Sequence, residues 1–254
     1  MNNFKLLLGI STIIFFLIIC EQDVTNNSTQ NSELLKIIQT EWDSFAGQYP
    51  NFPGGISVAV ISGNTNYFAT YKMGNNMTAN TRFRVASITK FFTGAAILLL
   101  EQSGKLNIED KIISQMPGRV ETYIPTSNNY SIPFKDEITI KQVLEHRAGI
   151  FDINNSEIPS GLNVPYSGMS YLRYKMMQDP QHTFTTDELF DVISTNKLFY
   201  AKPGEEYHYS DMGYSLLSKI IERVSGESYI DFVKNNLLKS NNLNNSLLPY
   251  LGSD

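Results

Sequence analysis

The sequence predicts an α+β fold of the broad α/β class: an antiparallel sheet flanked by helices, with an all-helical subdomain. Three observations predict it. Two strand-like runs, Ile56–Ile61 and Asn66–Lys72, are separated by a Ser-Gly-Asn turn, which is the pattern of a hairpin. From Arg82 onward the apolar residues recur mainly at helical spacing. Hydrophobic residues make up 42% of the 254 and charged residues 18%, enough apolar material for a folded core.

Taken in order, Ser32–Tyr49 reads as an amphipathic helix through Leu34, Leu35, Ile38, Trp42 and Phe45. Pro50–Gly55 breaks it. Ile56–Ile61 (ISVAVI) reads as a buried strand, and Asn66–Lys72 returns beside it to pack on the first helix. Gly74–Thr81 is a loop. Arg82–Leu106 begins strand-like and becomes a helix from about Ser87 to Ser103, stopped by Gly104. Ile108–Met116 is a short amphipathic piece, and Pro117–Asp136 is irregular. Thr139 caps a helix over Ile140–Arg147. Phe151–Phe184 is long loops with a helical turn near Tyr171–Gln178, and loops of that length are usually functional or mobile. Thr185 and Thr186 open a helix with Leu189, Phe190, Val192 and Ile193 on its apolar face. Two more, Tyr214–Val224 and Tyr229–Leu238, flank Gly226, and Ser240–Asp254 is a polar tail.

The N-terminus reads as an export signal. Leu6–Ile19 is a continuous apolar run, too short for the ~18–20 residues of a membrane span but long enough for a signal core. Leu17-Ile18-Ile19-Cys20 resembles a bacterial lipoprotein signal, with Ile19 where a small residue is usual. An ordinary secretory signal or an uncleaved anchor are the alternatives. The lipoprotein reading makes Cys20 the lipidated residue and places the protein at a bacterial membrane or in the periplasm. The layout is then a leader over 1–20, a polar tether over 21–31 and one catalytic-type domain over 32–254. With one cysteine no internal disulfide can form. The net charge is −5 and there is no basic stripe, which argues against nucleic acid as a partner. His146, His182 and His208 lack metal-ligand spacing, so no metal or other cofactor is expected.

The chemistry centres on Ser87 and Lys90. Three residues apart at a helix start, they share one face, as a serine nucleophile and its lysine base require. Burial and the positive helix end would push the Lys90 amine toward its neutral form, which can accept a proton. Ser-x-x-Lys by itself is weak, since roughly one chance copy is expected in a chain this long. Ser194-Thr195-Asn196-Lys197 is such a copy, near a helix end with no long apolar rod behind it. Tyr209-Ser210-Asp211, after Pro203-Gly204, puts a phenol, a hydroxyl and a carboxylate on one tight loop; alone, they read equally as a turn and helix cap. His208 reads as a surface or packing residue, and His146 as a cation suited to a helix C-terminus.

In order, Phe83–Lys90 (FRVASITK), Gly104-Lys105-Leu106, Leu144–Ile150 (LEHRAGI), Pro203-Gly204 and Tyr209-Ser210-Asp211 resemble the motifs of the serine beta-lactamase and penicillin-binding superfamily. The likeness is to its branch of class C beta-lactamases, D-alanyl-D-alanine carboxypeptidases and esterases, and it runs from about Gly54 to Leu243. It implies Ser87 as the acylated nucleophile and Lys90 as its proton acceptor. It implies Tyr209 as the proton shuttle, Asp211 as a substrate-binding residue, and the Ser87 backbone N–H as part of an oxyanion hole. The implied substrates are peptidoglycan stem peptides, small esters or beta-lactams. Two departures stand out. Position 211 is Asp where the family has Asn, and a carboxylate cannot donate to a substrate carbonyl and would hold Lys90 charged. After Tyr214 no Lys-Thr-Gly or His-x-Gly triplet occurs, so the sheet is expected to be incomplete at the C-terminus. The rival reading is a non-catalytic surface lipoprotein that keeps the helical half and binds cell-wall peptides or penicillin without turnover.

Overall fold

A computed structural model describes residues 31–63, 65–74 and 77–248. Cys20 and its signal, most of the tether, Asn64 of the hairpin turn, residues 75 and 76 of the following loop, and the end of the polar tail lie outside the described residues. The chain forms two compact units, one up to Thr81 and one from Arg82 onward.

In the first unit, α1 (Ser32–Gln48) is capped by Asn31, whose side chain accepts from the Leu34 N–H. β1 (Ile56–Ser62) pairs antiparallel with β2 (Thr65–Tyr71), from Ile56 opposite Tyr71 to Ser62 opposite Thr65. Helix and hairpin are tied together as expected: the Asn31 N–H donates to Phe68 O at 2.9 Å, and Lys72 pairs with Asp43 at 2.9 Å. Gly55 is required here because a Cβ would lie 2.3 Å from the Lys72 carbonyl carbon. The expectation of a buried β1 is corrected. Val60 and Ile61 are exposed, and Ala69 is the fully buried residue of the hairpin. A two-stranded ribbon has no neighbouring strand to cover its far half.

The second unit is helical. Its core is built on α2 (Thr89–Gln102), α3 (Ile140–Leu144), α5 (Thr186–Thr195) and α6 (Asp211–Ser225), with α4 (Tyr171–Gln178) and α7 (Tyr229–Val233) beside them. α2 contributes Ala96, Ile97 and Leu100 to the core, and α6 contributes Met212, Leu216, Leu217, Ile220, Ile221 and Val224. Truncating one such residue, as in Ile97→Ala, costs about 2–5 kcal/mol. Thr93 of α2 and Tyr229 of α7 share a hydrogen bond of 2.7 Å. α2 packs on α6 at the ends that carry Lys90 and Asp211.

Several element boundaries differ from expectation for local reasons. α2 begins at Thr89, preceded by a 3-10 turn over Ala86–Ile88. Ala86 sits at φ 43°, a left-handed value that prevents an α-helix from starting earlier. α3 ends at Leu144 rather than Arg147 because His146 is also left-handed, at φ 56°. Its start is as expected, with a capping box between Thr139 and Gln142. The short amphipathic piece Ile108–Met116 runs in turns and single bridges, with Lys111 opposite Thr139 and Gln115 opposite Thr122. α6 starts three residues early, at Asp211, under a Ser210 cap, and ends at left-handed Gly226. After α7 the chain widens into a π-helical segment, Lys234–Leu238.

Candidate active site

Four side chains meet where the 3-10 turn enters α2. Ser87 is exposed at the surface. Its Oγ accepts from Lys90 Nζ at 3.2 Å and from the Tyr209 O–H at 2.8 Å. Lys90 Nζ also donates to Asp211 Oδ1 at 2.5 Å. The sequence-predicted residues Ser87, Lys90, Tyr209 and Asp211 therefore form one hydrogen-bonded group, although 122 residues separate Ser87 from Tyr209. The second Ser-x-x-Lys copy is not assembled in this way. Ser194 Oγ instead donates to Asn129 O at 2.6 Å, a structural tie.

A short ladder holds the stretch before Tyr209 against His146–Gly149. The Gly204 N–H donates to Arg147 O at 2.7 Å, the His208 N–H to His146 O at 2.8 Å, and the Tyr200 N–H to Gly149 O at 3.0 Å. The two stretches approach closely enough that a Cβ at Gly149 would lie 1.9 Å from Ala201 O, and Gly149 has φ 66°. This accounts physically for glycine in LEHRAGI. Ser210 is buried and caps α6 by accepting from the Gly213 N–H at 3.3 Å. Within Tyr209-Ser210-Asp211, Ser210 is thus the helix cap, while Tyr209 and Asp211 join the hydrogen-bonded group with Ser87 and Lys90.

Two influences expected on Lys90, burial and the Asp211 carboxylate, oppose each other here. Burial works against the charge on Lys90, but its hydrogen bonds to Asp211 and Tyr209 outweigh burial and raise its pKa above the ordinary lysine value. Burial likewise opposes the Asp211 carboxylate, and the hydrogen bonds from Lys90 and Asn155 outweigh it and lower its pKa. The resting pair is therefore ammonium and carboxylate, not a neutral lysine. Lys90 Nζ also lies 4.9 Å from the Tyr209 ring centre and 5.7 Å from that of Tyr214.

Sequence reasoning missed two supports. His146 is not a helix-end cation. Burial, then the charge of Lys90, lower its pKa to about 4, so it is neutral at pH 7. Its Nδ1 accepts from the Ser210 N–H at 3.2 Å, and its ring stacks on Tyr209 at 4.3 Å. The only sequence signal was its place in LEHRAGI. Asn155 is the other; it bridges Asp211 and Asp152 from a stretch read as loop, with no motif to mark it. Among the described residues no group of three His, Cys, Asp or Glu is placed to hold a metal.

The Beta-lactamase family model matches residues 43–249. The chain belongs to that family. Among similar proteins is Protein flp of Staphylococcus aureus, 34% identical over 160 residues, covering 63% of this chain and 26% of that protein. Penicillin-binding protein 4* of Bacillus subtilis is 31% identical over 159 residues, covering 62% of this chain and 28% of that protein. The chain thus spans about a quarter of the length of these curated relatives. Among solved structures, the D-stereospecific amidohydrolase from Streptomyces aligns at a TM-score of 0.59 and 20% identity, covering 82% of this chain and 55% of that one. At that identity the likeness establishes the fold, and the mixed helix-and-strand architecture is that of beta-lactamases and penicillin-binding proteins.

Proposed function

We propose that this chain is a serine hydrolase that works through an acyl-enzyme on Ser87. One observation carries the reading: Ser87 Oγ lies within hydrogen-bond reach of both Lys90 Nζ and the Tyr209 hydroxyl, at 3.2 and 2.8 Å. Ser87 Oγ forms a bond to the substrate carbonyl carbon as its proton passes to the neutral fraction of Lys90. The bond from that carbon to the leaving nitrogen or oxygen then breaks, and the Tyr209 O–H supplies the proton to the leaving group. Water attacks the ester carbonyl as Tyr209, left as phenolate, takes the proton of the water; the bond from that carbon to Ser87 Oγ then breaks and Lys90 returns its proton to the oxygen. Candidate substrates are small peptides, amides, esters and beta-lactams. The amidohydrolase of similar fold is described as D-stereospecific, which makes D-amino-acid amides and D-alanyl-D-alanine peptides the first to test.

The test is covalent labelling. Protein is treated with a fluorescent penicillin and with a fluorophosphonate, and the adduct is located by peptide mass. We expect an adduct on Ser87, lost in Ser87→Ala. No adduct from either probe between pH 6 and pH 10 overturns the reading.

A second reading has one observation in its favour. The Lys90–Asp211 ion pair suits a protein that is acylated slowly or only binds cell-wall peptides or penicillin. Adduct that forms and never turns over supports it; regeneration of free Ser87 with release of hydrolysed product excludes it.

We also assign the leader 1–20 to export and Cys20 to lipid attachment. Palmitate labelling in a bacterial host, lost in Cys20→Ala, tests this. Labelling that persists in the variant refutes it.

A further inference from the structure

The Asn155 amide nitrogen carries two hydrogens and donates both. One goes to Asp152 Oδ2 at 2.8 Å and the other to Asp211 Oδ2 at 2.9 Å. Asp152 is only 3% exposed, and its other oxygen accepts the Asn154 N–H at 3.2 Å. It is a fixed anchor. Asp211 is then held at both oxygens, by Asn155 on one and Lys90 Nζ on the other. The result is an unbroken chain from a buried carboxylate through Asn155, Asp211 and Lys90 to the Ser87 hydroxyl.

We propose that Asn155 is a positioning residue of this site, which aims Asp211 at Lys90 and thereby sets the pH at which the lysine gives up its charge. Without the Asn155 donor, Oδ2 loses its partner and the carboxylate is free to turn out of line with Lys90. The groups facing Asp211 are few: Lys90 on α2, His146 on the loop after α3, and Asp152 beyond Asn155. Tyr209 and Tyr214 flank the lysine. His146 is neutral at pH 7, so Lys90 is the cation that Asp211 meets. Asn155 itself is exposed and adds nothing to the apolar core, so its truncation should leave the fold intact.

The consequence for catalysis rests on the acyl-transfer reading, but the proposal is tested without it. The protein is labelled with [13Cε]lysine and the Lys90 signal, assigned by its loss in Lys90→Arg, is titrated by NMR. In Asn155→Ala the midpoint should fall by about half a unit to one unit, a part of the 1–3 units that an adjacent opposite charge supplies. In an Asp211→Asn background the same truncation should move it by less than about 0.2 units, because Asn155 acts through that carboxylate. If Ser87 is acylated, the labelling rate at a fixed pH below the midpoint should rise roughly 3- to 10-fold in Asn155→Ala. A midpoint that stays or rises, or an equal shift in both backgrounds, overturns the assignment of Asn155. Absence of any adduct on the wild-type protein bears only on the hydrolase reading and leaves the titration to decide.

Discussion

Asp211→Asn is the substitution that most directly tests how this site is charged. Asp211 Oδ1 lies 2.5 Å from Lys90 Nζ, with side chains 30% and 17% exposed, so solvent screens the pair only partly. An opposite charge at such range is worth about 1–3 pKa units, or about 1.4–4 kcal/mol between the two forms of the lysine. An amide in its place keeps the shape and removes the charge, and burial, the largest influence on Lys90, is then opposed chiefly by Tyr209 and lowers its pKa. The neutral fraction of Lys90 at pH 7 should rise roughly 10- to 1000-fold. If that fraction is the base, the fluorophosphonate labelling rate at pH 7 should rise by a comparable factor, and the midpoint of its pH profile should fall. The assay is the second-order labelling rate from pH 6 to pH 10 for wild type and variant, with circular dichroism as a check on folding. A folded variant whose rate at pH 7 is unchanged or lower, with an unmoved midpoint, refutes the role given to Lys90.

Three further outcomes follow from the same geometry. Tyr209→Phe keeps the ring on His146 but removes the hydroxyl from Ser87, so labelling should fall about 10²–10⁴-fold with the melting temperature nearly unchanged; a loss under 3-fold would remove Tyr209 from the proton path. Gly149→Ala places a Cβ 1.9 Å from Ala201 O at a left-handed φ, and should cost more than about 3 kcal/mol in a denaturant titration; a cost under 1 kcal/mol contradicts the packing. His146 has a folded pKa of about 4 against an ordinary 6.5, so between these values the unfolded chain binds a proton that the folded one does not, and stability falls as the pH drops. Allowing for its partial exposure the loss is about 1–2 kcal/mol, and His146→Gln should flatten the stability curve between pH 6.5 and 4.

Much of the fold was legible because its signals are local. The caps at Thr139 and Thr185, the stop at Gly226 and the apolar period of α5 each lie within a few residues of what they control. What failed was set by backbone conformations that residue type does not announce. Ala86 and His146 both occupy the left-handed region, where an L-residue is unfavourable by about 1–2 kcal/mol. Neither alanine nor histidine signals this in a sequence, so α2 was expected too early and α3 too long. β1 was read as buried from its apolar run, but burial depends on what lies beside a strand, and a hairpin covers little.

The site shows the same division, with more at stake for function. The Ser87–Lys90 pairing follows from i,i+3 spacing across a helix entry, a ladder holds Tyr200–His208 against His146–Gly149, and the Tyr209 hydroxyl then reaches Ser87. Those features place groups but leave their charge open. The charge of Lys90 is decided by one carboxylate 121 residues away and by the amide and buried acid that hold that carboxylate. Burial and pairing push the lysine in opposite directions, and the close approach of Asp211 tips the balance toward the charged form. If Lys90 is the base, as proposed, the same Ser-x-x-Lys geometry offers a larger neutral fraction with an amide at position 211 than with an acid there. The difference between them, about 1–3 pKa units, corresponds to a roughly 10- to 1000-fold change in that fraction at neutral pH.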